Sequence, residues 1–279
     1  MKCAWTELLA VIPPRLRCEV DNLGKEHLEE LHLRIGQPVE LILNGQSHLL
    51  KTDAGADDIQ FTVNTASRYS PWSAASISQG YISASGGHRI GLCGDCVVQA
   101  GAITGIRKAT SICIRVAREF EGIGQKAPIS GSLLILGPPG VGKTTLLRDI
   151  IRLRSHAGTT VAVVDERGEL FPQCKIFKPG PRTDILIGCS KTEGIEMALR
   201  TMSPKCIAVD EITAAGDCQG LISAGWCGVD LLATAHAADC KDLRSRKVYQ
   251  PLAESGLFEQ AIVLSRDKSW HMERMELCT

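Results

Sequence analysis

Short apolar runs alternate with amphipathic stretches through the C-terminal half of the chain. Apolar runs of strand length lie at about 133–137, 160–165, 206–210 and 229–235. Stretches with helical spacing lie between them, near 142–155, 191–203 and 214–226. Two further runs, "QAIVLSR" and "SWHMERMEL", predict a closing pair of strands. Strands that alternate with helices predict a parallel sheet, here in a three-layer α/β core of about 150 residues.

The N-terminal half follows a different pattern. Apolar residues between Trp5 and Ile12 fall at helical spacing, and a Pro-Pro pair ends that run. The segment "LHLRIGQPVELILNGQSHLL" alternates like two paired strands, with Asn44-Gly45 as the hairpin turn. A helix is expected near 56–69, and several strands broken by glycines are expected after it. The pattern predicts an α+β domain.

These patterns divide the 279 residues into two domains. The glycine- and proline-containing segment "EGIGQKAPISG" is interpreted as a linker, with the smaller α+β domain at 1–125 and the P-loop domain at 126–279. Apolar residues make up 44% and charged residues 22%, which is typical of a globular protein with a buried core. No run approaches the roughly 20 apolar residues of a membrane span, and the N-terminus lacks a signal-peptide pattern. We therefore expect a cytoplasmic protein.

Twelve cysteines bear on the compartment and on metal binding. Without an export signal they are expected to be free thiols. Cys93 and Cys96 form a CxxC pair, but a structural zinc site usually needs a second such pair, and the sequence has none. We therefore expect ordinary buried or half-buried cysteines, a group that also includes Cys174, Cys189, Cys206, Cys218 and Cys227.

The segment "LLILGPPGVGKTTLLRDIIRLR" places a glycine-rich turn between an apolar strand and an amphipathic helix. The turn matches G-x-x-x-x-G-K-[ST], which is typical of a phosphate-binding P-loop. Glycines let backbone N–H groups surround a phosphate, and the following helix adds its positive N-terminal end. Lys143 is expected to bind the β- and γ-phosphates and Thr144 to bind Mg²⁺. The predicted nucleotide-binding residues are Gly137, Pro138, Pro139, Gly140, Val141, Gly142, Lys143, Thr144 and Thr145.

Two apolar strands end in an Asp-Glu pair, one in "VAVVDERGEL" and one in "CIAVDEI". In P-loop enzymes, an acidic residue at the end of a neighbouring buried strand helps to hold magnesium. We expect Asp210 to contact Mg²⁺ through water and Glu211 to polarise the attacking water. Asp165 is a second metal candidate and Glu166 a second candidate base, because their strand end lies at the same edge of the sheet. The sequence leaves the choice between Glu211 and Glu166 open.

A histidine follows a further core strand in "GVDLLATAHAADCKDL". His236 is expected to face the γ-phosphate or a neighbouring subunit. A P-loop, an acidic box, a second Asp-Glu strand and a histidine box occur here in that order. This order resembles the ATPases of type II and type IV secretion and of pilus motors.

The chain resembles more closely one branch of that group, the stage III sporulation protein AA family. The resemblance rests on "LRIGQPVELIL", "GGHRIGLCGDCV", "GIRKATSICIRVARE", "VVDERGEL", "LRTMSPKCIAVDEI" and "LLATAHA", together with the P-loop. It implies a RecA-like ATPase core that uses ATP and Mg²⁺. It also implies a hexameric ring with nucleotide between adjacent subunits. In endospore formation, the resemblance implies work with membrane proteins of a secretion-like channel, to which the ATPase is bound peripherally.

Hydrolysis between subunits commonly needs an arginine that neutralises charge on the γ-phosphate. In the resembling ATPases, arginines of the N-terminal domain approach the nucleotide. The candidates from that domain are Arg107 and Arg115, with Arg89 beside them. Arg182 and Arg200 are alternatives from the ATPase domain.

Two other functions stay open at this point: a nucleic-acid-dependent RecA-like ATPase, and a nucleotide-binding switch with little turnover. Acidic and basic side chains number 31 each, and aromatic residues make up only 4%. Proteins that bind single-stranded nucleic acid usually combine a basic groove with aromatic stacking platforms. The composition therefore favours the motor ATPase and makes nucleic acid an unlikely partner.

Overall fold

The computed structural model describes residues 2–25, 27–67, 80–172 and 175–275. The chain divides into two compact units, Met1–Glu119 with Gln173–Ile176, and Phe120–Pro172 with Phe177–Thr279. The division after Glu119 falls at the start of the segment interpreted as a linker. Within the described ranges, none of the helices combines the length and the apolar character that crossing a bilayer requires.

The first unit contains three α-helices: α1 (Trp5–Val11), α2 (Pro14–Gly24) and α3 (Ala56–Ala66). The predicted helices near residues 5–12 and 56–69 are confirmed. The Pro-Pro pair does end α1, but its second member also begins α2, a helix that the hydrophobic pattern did not predict. Proline suits the first turn of a helix because its φ is preset and that turn leaves the N–H unpaired.

The strands of the first unit form a six-stranded antiparallel sheet in the order β4-β3-β2-β7-β6-β5. Its strands are β2 (Leu28–Arg34), β3 (Pro38–Leu43), β4 (Gln46–Asp53), β5 (Tyr81–Ser83), β6 (Arg89–Gln99) and β7 (Ala102–Arg115). Two short strands, β1 (Lys2–Cys3) and β8 (Arg118–Glu119), pair separately. The predicted hairpin turn is confirmed, with φ of 50° at Asn44 and 76° at Gly45. One face of the sheet packs into the apolar core of this unit.

The expectation of strands broken by glycines is partly confirmed, since Gly101 separates β6 from β7, whereas Gly94 lies within β6. β6 and β7 run for 11 and 14 residues, and their pairing shifts register between Cys93 and Gly94. A Cβ on Gly94 would collide with the carbonyl oxygen of Lys108. Glycine here permits a close approach of two paired strands at a bulge.

The second unit contains a seven-stranded sheet in the order β11-β10-β12-β13-β9-β14-β15. All neighbouring strands are parallel except the last pair, which is antiparallel. The strands are β9 (Leu133–Leu136), β10 (Val161–Asp165), β11 (Thr183–Ile187), β12 (Cys206–Val209), β13 (Asp230–Ala235), β14 (Gln260–Leu264) and β15 (Trp270–Arg274). The central strands are buried throughout, as parallel strands covered on both faces require.

The helices of the second unit are α4 (Lys143–His156), α5 (Lys191–Thr201), α6 (Ala215–Trp226), α7 (Cys240–Ser245) and α8 (Gln250–Glu254). The three predicted helices and the closing pair of strands are confirmed. The hydrophobic pattern did not predict α7, α8 or the edge strand β11. β11 has no buried residue, so it lacks the continuous apolar run that marks the central strands.

The expectation for the cysteines is only partly correct. Cys206 and Cys218 are buried and Cys189 is half-buried, whereas Cys93, Cys96 and Cys227 are exposed. Cys227 follows the end of α6, and Cys93 and Cys96 lie on β6 where its pairing with β7 becomes irregular. Cys174 lies outside the described residues.

Candidate active site

The strand order of the second unit brings the sequence motifs to one edge of its sheet. β9, β13, β12 and β10 lie side by side in that order and run parallel. Parallel strands have their carboxyl ends at the same edge. The P-loop after β9 therefore lies next to the end of β13, and β13 separates it from the acidic end of β12.

The P-loop has the backbone conformation that its glycines predict. Gly140 and Gly142 have φ of 79° and 105°, and Gly142 is the N-cap of α4. A Cβ on Gly137 would lie 2.9 Å from a methyl carbon of Val141 and 3.0 Å from the carbonyl oxygen of Leu264. Glycine suits Gly137 because a side chain would not fit there, and it suits Gly140 and Gly142 because their φ is positive.

The remaining P-loop residues divide into those that face the interior and those that face outwards. Val141 is 5% exposed and anchors the loop, whereas Pro139 and Gly140 are exposed at its outer turn. Pro138 and Thr145 are half-buried. The exposed backbone at the turn is the part that an incoming ligand would contact.

Lys143 lies at the centre of the site, with its side chain almost fully covered. Its Nζ donates to the carbonyl oxygens of Gly137 and Pro138 at 2.9 Å and lies 3.0 Å from Nδ1 of His236. Burial lowers the pKa of Lys143, while the nearby charges of Asp210 and Glu211 act to raise it. The ammonium group is held by weak neutral acceptors, which an anion would replace favourably.

Two threonine hydroxyls hold the carboxylate of Asp210. Thr144 Oγ1 donates to Oδ2 at 2.8 Å, and Thr234 Oγ1 donates to Oδ1 at 2.7 Å. Thr234 is fully buried at the end of β13, so it fixes the orientation of the carboxylate. A threonine hydroxyl beside a carboxylate is a ligand set that suits Mg²⁺, since both are hard oxygen donors.

Three hydrogen bonds hold Glu211, one through its backbone N–H and one through each carboxylate oxygen. Its backbone N–H donates to Thr234 Oγ1 at 2.8 Å, and its φ is 49°, which is rare for a residue other than glycine. Oε1 lies 2.8 Å from Nε2 of His236, and Oε2 lies 3.0 Å from the guanidinium of Arg167. A backbone held in this region is typical of a functional site.

The surroundings of Glu211 favour its ionised form. Burial acts to raise the pKa of Glu211, but the hydrogen bond from His236 and the nearby charges of Arg167 and Lys143 outweigh this effect, so the pKa is lowered. Because Lys143 only donates, Nδ1 of His236 accepts and Nε2 carries the proton that is donated to Glu211. The imidazole therefore links the lysine to the glutamate in a defined tautomer.

The acidic pair on β10 has different contacts. Asp165 is 2% exposed, and its carboxylate accepts N–H groups of Glu169, Leu170 and Phe171 at 2.9–3.2 Å. Burial raises the pKa of Asp165, against the effect of these backbone donors. These contacts support the turn that follows β10. The metal role expected for Asp165 stays a prediction, and its observed contacts do not favour it.

Glu166 takes part in an ion-pair chain beside the site. Its Oε2 accepts from Lys191 Nζ at 2.7 Å, and the same ammonium lies 3.7 Å from Asp217. Lys191 is 5% exposed. Glu166 thus pairs with a buried lysine of α5, whereas Glu211 contacts His236, which in turn contacts Lys143 of the P-loop, so the structure favours Glu211 over Glu166 as the carboxylate linked to the P-loop.

The arginine candidates occupy varied positions. On the first unit, Arg89 stacks over Tyr81 at 3.7 Å, Arg115 lies 3.5 Å from Glu30, and Arg107 is exposed on β7. On the second unit, Arg200 pairs with Glu196 on α5 and Arg182 is exposed before β11. Their catalytic roles stay predictions.

Three side chains of the site were not singled out from the sequence: Arg167, Thr234 and Lys191. Arg167 and Thr234 lie within motifs that were recognised, in "DERGEL" and "ATAHA". Arg167 could have been identified because it directly follows an Asp-Glu pair. Thr234 could have been identified because it lies near the end of β13, between the strand before the P-loop and the strand before Asp210. Lys191 begins α5 and carries no such signal.

Comparisons with known proteins agree with this geometry. Residues 6–272 match the family model described as sporulation stage III, protein AA. The stage III sporulation protein AA of Bacillus subtilis is 34% identical over 285 residues, covering 94% of this chain and 91% of that protein.

Solved structures share the fold at low sequence identity. The ATPase DotB of Yersinia pseudotuberculosis superposes with a TM-score of 0.62 at 17% identity, covering 93% of this chain and 78% of DotB. The pilus retraction motor PilT, solved with bound ADP, gives a TM-score of 0.62 at 16% identity, covering 89% of this chain and 76% of PilT. The predicted fold class, a RecA-like P-loop core with a smaller α+β domain, is confirmed.

Proposed function

The chain belongs to the stage III sporulation protein AA family, and from this premise we propose that it is a Mg²⁺-dependent ATPase. One observation carries the proposal. Three strand ends contribute to one connected set of hydrogen bonds, in which Thr234 joins the Thr144–Asp210 pair to the chain of Lys143, His236 and Glu211. A phosphate-binding lysine, a metal-binding pair and an ionised carboxylate are the parts that nucleotide hydrolysis needs.

The residues fit ATP and Mg²⁺ by their donor chemistry. The P-loop presents a glycine backbone with open space around Gly140 and Gly142, where an added Cβ would meet no atom within 4 Å. Lys143 supplies a buried cation whose partners are neutral carbonyl groups. Thr144 and Asp210 supply oxygen ligands of the kind that Mg²⁺ prefers.

In the proposed mechanism, each side chain has one task. Thr144 and Asp210 would hold Mg²⁺, which would neutralise phosphate charge. Lys143 exchanges its carbonyl partners for phosphate oxygens, and Thr144 and Asp210 orient the metal. Glu211 accepts the proton of the attacking water, and His236 holds that carboxylate in place while its Nδ1 faces Lys143. Arg167 lies 3.0 Å from Glu211, and its charge lowers the pKa of that carboxylate.

The biological role follows from the family and from the motors that share the fold. We infer that ATP hydrolysis energises a membrane-associated, secretion-like channel complex during endospore formation. The protein would act in the cytoplasm, bound peripherally through membrane protein partners. The name of the B. subtilis relative supports the sporulation setting, and the fold shared with a pilus retraction motor supports a mechanical use of ATP.

We further propose a hexameric ring in which Arg107 or Arg115 of one subunit completes the site of the next. Substitution of either arginine with Ala should lower hydrolysis and spare nucleotide binding. Mixing an Arg107→Ala protein with a Glu211→Gln protein tests the sharing directly. If sites lie between subunits, the mixture recovers part of the activity, because some interfaces then contain both native residues. Mixtures as inactive as their components would place the arginine elsewhere.

A hydrolysis and binding assay on the full chain tests the ATPase itself. Lys143→Ala should abolish ATP binding because the phosphate charge loses its buried partner, whereas Lys247→Ala, at an exposed lysine, should bind like the native protein. Tight binding of a fluorescent ATP analogue by Lys143→Ala would contradict the assigned role. Strong stimulation of hydrolysis by single-stranded DNA or RNA would instead favour a nucleic-acid-dependent ATPase.

A further inference from the structure

Three side chains of different chemistry meet on the six-stranded sheet of the first unit. Glu30 and His32 lie on β2, and Cys113 lies opposite His32 on β7. Their neighbours along each strand are buried in the core, namely Leu31, Leu33, Ile112 and Ile114. Because side chains alternate across a strand, Glu30, His32 and Cys113 all lie on the opposite face. All three are half-buried there.

The potential ligand atoms of this cluster are close together. His32 Nε2 lies 3.0 Å from Glu30 Oε2, and Cys113 Sγ lies 3.8 Å from each of these atoms. A tetrahedral zinc ion with bonds of about 2.0–2.3 Å separates its ligands by about 3.3–3.8 Å. The three atoms therefore need to move only slightly to surround one ion. Within the described ranges, this is the group of at least three His, Cys, Asp or Glu residues whose ligand atoms all lie within 4.8 Å of one another.

The geometry distinguishes a metal site from a nucleophilic triad. In a Cys-His-carboxylate triad, the thiol and the carboxylate contact different nitrogens of the imidazole. One nitrogen accepts the thiol proton, and the carboxylate orients the ring through the other. Here both Cys113 and Glu30 are closest to Nε2 of His32. Convergence on one nitrogen is the arrangement of a ligand set.

Two neighbours complete the site. Arg115, opposite Glu30 on β7, lies 3.5 Å from Oε1, which leaves Oε2 directed to the other two ligand atoms. Such support of a ligand by an outer residue is typical of metal sites. Gly91 lies opposite Cys113 on β6, and a Cβ there would meet only the Cys113 carbonyl oxygen, at 3.8 Å. The absence of a side chain at Gly91 leaves room beside the thiol for a fourth ligand.

We propose that Glu30, His32 and Cys113 bind one divalent transition-metal ion of the Zn²⁺ class, with the fourth position open to water. This site uses a different cysteine from the CxxC pair and a different unit from the P-loop, and it does not depend on the proposed ATPase activity. One imidazole, one thiolate and one carboxylate favour Zn²⁺ or Co²⁺ over Mg²⁺, because Mg²⁺ prefers oxygen ligands.

Titration of the nucleotide-free, chelator-treated full chain with Co²⁺ tests the proposal. We expect one equivalent to give intense visible bands of tetrahedral cobalt and a near-ultraviolet band of thiolate-to-cobalt charge transfer. Zn²⁺ should displace the cobalt and remove both. Any Co²⁺ bound at Asp210 or Glu211 gives no charge-transfer band, because that ligand set contains no thiol. Absence of the charge-transfer band from the native protein would overturn the proposal.

Matched variants assign the ligands. Cys113→Ser should abolish the charge-transfer band, and His32→Ala or Glu30→Gln should weaken cobalt binding by about tenfold or more. Cys227→Ser, at an exposed cysteine of the other unit, should retain the native spectrum. Circular dichroism would check that each variant is folded, and Zn²⁺ should slow modification of Cys113 by a thiol reagent in the native chain. A native spectrum in Cys113→Ser, or no protection of Cys113, would contradict the assignment.

Discussion

Two strands of one sheet, β10 and β12, end in the same Asp-Glu pair but place it in different surroundings. Asp165 is 2% exposed, and three backbone N–H groups of the following turn occupy its carboxylate. Asp210 is half-buried, and its carboxylate accepts the hydroxyl groups of Thr144 and Thr234. The first aspartate therefore supports the fold, and the second faces the P-loop.

The glutamates differ in the same way. Glu166 is compensated by the buried ammonium of Lys191, which itself begins a helix. Glu211 contacts His236, which follows β13 beside the P-loop strand, and Arg167, which lies in the turn after β10. Strand order explains the difference, because β10 lies one strand farther from β9 than β12 does. Identical dipeptides acquire different chemistry from the strands beside them.

The largest expected effect separates the two glutamates. Glu211→Gln should retain ATP binding and lower turnover by about 10²–10⁴-fold, as expected when the attacking water loses its general base. Glu166→Gln, which removes the same charge at the other strand end, should lower turnover by less than about tenfold, because β10 lies one strand farther from the P-loop strand than β12 does and Glu166 contacts Lys191 instead of His236. Single-turnover hydrolysis with saturating ATP measures both.

The comparison of Glu211→Gln with Glu166→Gln controls for general damage to the sheet. Each variant changes one carboxylate oxygen to an amide nitrogen at a strand end of the same sheet, so general damage to the sheet would affect both. A larger loss in Glu166→Gln than in Glu211→Gln would place the base on β10. Equal losses would contradict the distinction between the two strand ends.

The next effect separates the two aspartates by stability. Asp165→Ala leaves three N–H groups without an acceptor, two of them in buried hydrogen bonds, and should lower the free energy of unfolding by about 2–4 kcal/mol. Asp210→Ala leaves two hydroxyl groups that can rotate, and should cost less than about 1 kcal/mol. Urea unfolding without nucleotide measures the difference. A greater loss of stability in Asp210→Ala would reverse the assigned roles.

The sequence was sufficient for the parts of the site that depend on local backbone chemistry. The glycine-rich turn and the helix that follows it were predicted, because glycine, lysine and threonine at this fixed spacing have few other uses. The strands were predicted where they are buried on both faces. The sequence favoured the Asp210 pair but left the choice between Glu211 and Glu166 open, because their surroundings depend on strand order and on the turn after Asp165.

Contacts between distant segments explain why Arg167 and Lys191 were not identified from the sequence. Arg167 reaches Glu211 across 44 positions of the chain, and Lys191 reaches Glu166 across 25. The hydrophobic periodicity of a sequence does not predict contacts between residues so far apart in the chain. The edge strand β11 and helix α2 were missed for a different reason, since one lacks buried residues and the other begins at a proline that was interpreted only as a stop.

The smallest expected effect concerns the pH dependence of turnover. Glu211 must be ionised to accept a proton, so turnover falls as the pH drops through its pKa. Burial acts to raise the pKa of Glu211, and the hydrogen bond from His236 is the largest of the contributions that lower it. His236→Ala removes this bond, so the pKa of Glu211 rises and the acidic limb of the turnover profile moves to higher pH.

Two further variants sharpen this prediction to one hydrogen bond. His236→Gln keeps an N–H donor at this position and should shift the acidic limb less than His236→Ala does. Lys191→Ala removes a cation from the β10 side and should leave the acidic limb in place, because Lys191 contacts Glu166 and not Glu211. Profiles measured at saturating ATP report the enzyme–substrate complex, so a change in nucleotide affinity does not imitate the shift. An acidic limb that moves in Lys191→Ala but stays fixed in His236→Ala would show that the base titrates with the β10 pair.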